Sequence, residues 1–108
     1  MSELSGLTSA IVELNELWTL CTNDELGEHI LDKRNKLKEI SRELRDKVLQ
    51  EDTKEFIEAQ AVLKEVTDSA KSAKEKIDKE AEFVETVAKT IEKAAEAIAK
   101  IAPYIAAI

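Results

Sequence analysis

A chain of 108 residues is one domain with a modest core; it is 36% charged and 44% apolar, with only 2 Gly and 1 Pro. Ala, Glu, Lys and Leu dominate and aromatics make up 4%, a composition that favours helices over strands. The formal net charge of −7 repels phosphates, and no basic stripe is interleaved with aromatics, so nucleic acid is excluded as an expected partner.

The charge is unevenly spread. Residues 1–32 hold seven acids and no base, 33–47 hold seven bases and three acids, and 48–108 hold thirteen acids and nine bases. So charged a chain could be disordered, but its apolar residues are strictly periodic, which disorder does not produce. The single Cys21 allows no internal disulfide and fits a reducing compartment. Met1-Ser2-Glu3-Leu4 has no basic stretch leading into an apolar core, and no uncharged apolar run approaches the roughly 18 residues of a membrane span. A cytoplasmic location is expected.

The first helix is predicted from about 3 to 21. Leu4, Leu7, Ile11, Leu14, Trp18 and Cys21 repeat at spacings of three and four, and Ala10, Leu17 and Leu20 widen the stripe into a broad face. Ser2 or Ser5 is a candidate cap. The stretch 22–25 reads as a stop and restart, with Thr22 and Glu25 as a capping box. A second helix is predicted over about 25–50, with a stripe of Leu26, Ile30, Leu37, Ile40, Leu44 and Val48. Asp52 and Glu55 form another box, placing a reversal near 50–53.

From Phe56 onward one heptad phase holds for about 50 residues. Phe56, Leu63, Ala70, Ile77, Val84, Ile91, Ile98 and Ile105 form one seam position. Ala59, Val66, Ala73, Glu80, Val87, Ala94 and Ile101 form the other, with Glu80 its only polar member. This phase predicts one continuous third helix over about 53–102, ended by Pro103, with 67–80 as the place where a break would fall. Beyond residue 81 the face broadens, as Ala81, Ala88, Ala95 and Ala102 join the seam with Phe83 and Ala97 on its other flank.

The chain therefore reads as a single all-α domain, 1–108. The expected form is an elongated antiparallel bundle or coiled-coil hairpin with a long C-terminal helix; a compact four-helix bundle is the alternative. In the hairpin, residues whose numbers sum to about 103 lie side by side. The basic stretch 33–47 would then face 56–70, and the first helix would cover 81–102. Exposed ion pairs of this kind choose a register without driving folding.

Catalytic chemistry is not indicated. His29 shares a helical face with Glu25 and Asp32, but a structural zinc site needs more nitrogen or sulfur ligands, and a di-iron bundle needs two Glu-x-x-His motifs, of which there is none. Cys21 has no neighbouring base and continues an apolar stripe, so it reads as a packed thiol. No cofactor or metal is expected. The readable surface is apolar: Trp18, Phe83, Val84, Val87, Ile91, Ile98 and Ile101 are the candidate interaction residues. They point to a non-enzymatic interaction or assembly module, self-associating as a dimer or binding a protein, one version being an acidic binder of a basic partner. The alternative is a membrane-active protein that uses the Ala/Ile-rich segment from Ala94.

Overall fold

The apolar periodicity resolves into four helices, α1 (Ser5–Leu20), α2 (Asp24–Leu44), α3 (Lys54–Glu75) and α4 (Glu80–Ala107). The computed structural model describes residues 4–108, and no strand occurs among them. The four helices form a bundle of 42 × 20 × 19 Å, so the all-α expectation holds in its compact four-helix form.

Side chains set the helix starts. Asn23, on extended backbone, accepts the amide of Leu26 at 3.1 Å, with Asp24 and Glu25 in the positive first turn behind it. Thr53 accepts the amide of Phe56 at 3.3 Å and begins α3. The caps are thus Asn23 and Thr53, each one residue after the boxes predicted at Thr22 and Asp52. α1 has no side-chain cap: Leu4 occupies that position, Ser5 is already helical, and Ser2 lies outside the described residues.

Around the bundle the order is α1, α2, α4, α3; among the described residues the backbones of the diagonal pairs α1/α4 and α2/α3 do not approach closely. Helices adjacent in sequence run antiparallel, while the two hairpins meet through parallel pairs. Gly6 lies against Gln60 and Lys74 against Glu16, so α1 and α3 run together. Lys47 reaches the carbonyls of Ile105 and Ile108, both at 3.0 Å, so α2 and α4 end together. Its ammonium satisfies carbonyls at the negative end of α4.

Several expectations are corrected here. The third helix is not continuous over 53–102, because the chain turns at 76–79. The apolar repeat runs on across the turn in the sequence, but the buried set shifts by one position: Phe83, Thr90 and Ala97 enter the core in place of Val84, Ile91 and Ile98, while Val87, Ala94 and Ile101 keep their seam places. The charges mark the turn better: Lys74 closes α3 and Glu80 with Glu82 opens α4, as the helix dipoles favour. Glu80 is therefore an exposed first-turn residue rather than a seam residue, and Ile77 sits exposed in the turn.

Once α4 folds back onto α3, the hairpin register fails. The helices expected side by side, α2 with α3 and α1 with α4, are the diagonals. α2 stops at Leu44 instead of Gln50, because 45–53 must cross the bundle end, with Leu49 buried beneath it. Pro103 does not end α4, which runs to Ala107. The ring removes one amide, but Pro103 and Ala99 are exposed, so water can take the freed carbonyl while Ile105 stays buried.

The core is a continuous column of Leu7, Leu14, Leu17, Ile30, Leu37, Leu63, Val66, Val87 and Ile101. Each such side chain contributes about 1.5–3 kcal/mol relative to exposure. Between α3 and α4 the column carries hydroxyls. Thr90 Oγ1 donates to the Thr86 carbonyl at 2.8 Å and lies 2.7 Å from Ser69 Oγ.

Candidate interaction surface

α4 is apolar over a wider arc than the core covers. Phe83, Val87, Ala94, Ala97, Ile101 and Ile105 are buried, together with Thr86 and Thr90. The α3 side of that arc is fixed by Ser69 against Thr90 and by Lys76 Nζ donating to Thr86 Oγ1 at 3.2 Å. The next residue after each core position forms a second stripe, Val84, Ala88, Ile91, Ala95, Ile98 and Ala102. A step of one residue turns the helix by about 100°, away from α3 and past α2. Val84 is 37% exposed, Ala88 and Ala95 are exposed, and Ile91, Ile98 and Ala102 are only half-buried.

One residue further round lies a charged rim of Glu85, Lys89, Glu92 and Glu96, all exposed. Lys89 pairs with Glu85 at 3.6 Å, so the net charge of the rim is acidic. Bordering the stripe from the other side is an edge of α2. His29, Lys33, Lys36, Ile40 and Glu43 lie at spacings of four and three along α2, and just beyond its end Lys47 touches α4. Lys33 and Lys36 share Asp32, each at 3.1 Å, and their hydrogen bonds hold that carboxyl below its usual range. One carboxylate against two ammonium groups leaves the Lys33–Lys36 stretch of this edge basic, while Glu43 makes its far end acidic.

The expected interaction residues thus divide. Phe83, Val87 and Ile101 are core; Val84 is exposed on the stripe, and Ile91 and Ile98 lie on it half-buried against the core edge. Trp18, 40% exposed, belongs elsewhere: it sits on α1, diagonal to α4, with the Arg34 guanidinium 5.7 Å from its ring centre. Arg34 also reaches Asn15, fixing the cation over the indole. The α2 edge was missed as part of this surface. Its basic character was legible, but the hairpin register directed it at α3.

Other clusters are structural. Lys74 bridges α1 and α3, its Nζ 2.6 Å from both Glu13 Oε1 and Glu16 Oε2. No other donor approaches that buried Glu13 oxygen. Hydrogen bonding to Glu13 and then Glu16 raises the Lys74 pKa, and the Lys74 hydrogen bond lowers that of Glu16. A shallow polar groove beside it has Ser9, Lys64 and Lys71 on its walls, but Lys64 is committed to Asp68 at 2.8 Å. His29 is exposed, the carboxylate of Asp32 is taken by two lysines, and no group of three metal-ligating side chains occurs among the described residues. Burial pushes the Cys21 thiol up, away from the thiolate. No helix among the described residues is long and apolar enough to cross a membrane.

Comparison with protein families, curated proteins and solved structures found no match to this chain.

Proposed function

We propose that this protein is a non-enzymatic assembly module that acts through association of its helical surface, first of all with itself. The observation that carries this reading is the second stripe of α4. Six apolar positions in register, about five helical turns long, flank a core that is already filled, three of them exposed and three half-buried. A helix that served only its own bundle would place polar residues there. The ionisable groups support a structural rather than a catalytic role. Glu16, Asp32, Lys64 and Lys74 have their proton affinities shifted by ion-pair partners, and the thiol is shifted toward the inert form.

Sedimentation velocity over a wide concentration range tests this reading. A reversible shift from monomer to dimer is expected. A single monomeric species at every concentration would overturn it.

A further inference from the structure

Resting on that reading, we propose that a second copy of this chain docks on the α2–α4 face, with its α4 parallel to this one about a two-fold axis running along the helices.

The stripe supplies the contact. Ala88, Ala95 and Ala102 alternate with Val84, Ile91 and Ile98 at spacings of four and three, as in a coiled-coil seam. The alanines let two helices approach closely, and the branched side chains fill the intervening layers. Both kinds of residue are already held on a rigid helix, so docking orders little new chain.

Charge selects the occupant and its direction. In order across the middle of the face lie the acidic rim of α4, the apolar stripe, and the basic Lys33–Lys36 stretch of the α2 edge. A two-fold axis along the helices reverses that order in the second copy, so each acidic rim meets a basic edge. A two-fold axis across the helices would instead set rim on rim and edge on edge, with like charges opposed.

Heights along the axis agree as well. Lys47, just past the end of α2, bonds Ile105 and Ile108, so the parallel helices put Lys33 and Lys36 roughly at the level of the α4 turn from Glu92 to Glu96. An axis along the helices preserves height. Glu92 therefore faces Lys33 of the second copy, and Glu96 faces its Lys36. At the level of Lys33, Lys36 and Glu96 the chain is complementary to itself.

Three exposed positions test the proposal in the full-length protein, with sedimentation velocity as the readout and helical circular dichroism confirming the fold. Ala95→Glu places a charge in the seam and should abolish the dimer. Lys36→Glu and Glu96→Lys should each weaken it roughly ten-fold, because each opposes like charges twice per dimer. An equimolar mixture of these two variants should recover association, since the mixed dimer restores both pairs. If the unaltered chain is monomeric, the assembly reading itself fails. If Ala95→Glu dimerises as the unaltered chain does, self-association stands but this face is not its site. If the mixture associates no better than either variant alone, the parallel arrangement is overturned.

Discussion

The amide of Gly6 donates to Oε1 of Gln60 at 3.1 Å, and a Cβ at position 6 would lie 3.0 Å from that oxygen and 3.1 Å from Cβ of Leu63. α1 approaches α3 closely enough there that a methyl group forces a shift. At Gly27 the nearest atom to an added Cβ would be Trp18 Cδ1 at 3.7 Å, an ordinary contact. Gly27→Ala should therefore raise stability by about 0.5–1 kcal/mol through helix propensity. Gly6→Ala should lower the melting temperature despite the same propensity gain. Thermal melts of the two variants decide it: equal gains at both positions would mean that the close approach is not maintained in solution.

Two buried threonines should respond oppositely to the same substitution. Thr67 Oγ1 is buried without a partner, whereas Thr90 Oγ1 bonds Thr86 and Ser69. Thr67→Val replaces an unsatisfied hydroxyl with a methyl group of similar shape and should stabilise by about 1 kcal/mol. Thr90→Val breaks a satisfied network and should cost about 0.5–1.5 kcal/mol. Urea midpoints at constant m-value measure both.

The Lys74 bridge gives a pH dependence whose sign is fixed. The pKa of Glu16 is lowered from 4.5 in the fold, chiefly by its hydrogen bond to Lys74, so its contribution is present above that value and is lost as pH falls through the lower folded one. Asp32, lowered from 3.8 by Lys33 and Lys36, behaves alike. Lys74 is raised from 10.5, so its contribution is complete below that value and is lost only as pH rises through the folded one. Stability should thus be level through the neutral range and decline in acid. Lys74→Gln should cost about 1–3 kcal/mol at neutral pH by leaving Glu13 Oε1 buried without its cation, and should flatten the acid limb. Urea titrations at several pH values would show an unchanged acid limb if the bridge does not form.

Glu80 separates a continuous third helix from the observed turn. On a buried seam, Glu80→Leu would stabilise, by removing a desolvated carboxylate. At the exposed start of α4 the same change loses a favourable charge at the positive helix end, and should cost about 0.3–1 kcal/mol. A higher melting temperature for this variant would contradict the turn at 76–79.

The sequence by itself determined that the chain is helical, where three of its four helices begin to within a few residues, and which positions are apolar. Those features follow from periodicity, from Asx and Thr side chains beside first-turn acids, and from composition, all of which act within a few residues of one another. It also exposed the excess width of the apolar face after residue 81, on which Val84, Ile91 and Ile98 were expected as seam positions. Only the tertiary structure decided which helices are neighbours. The apolar repeat runs on through the turn at 76–79, so a straight helix and a hairpin share one sequence pattern, and only packing brought Phe83, Thr90 and Ala97 into the core in place of Val84, Ile91 and Ile98. That single reversal moved α1 from the face of α4 to its diagonal and set the basic edge of α2 beside the uncovered stripe. Charge order across two helices is a property of their packing, and neither helix carries it alone.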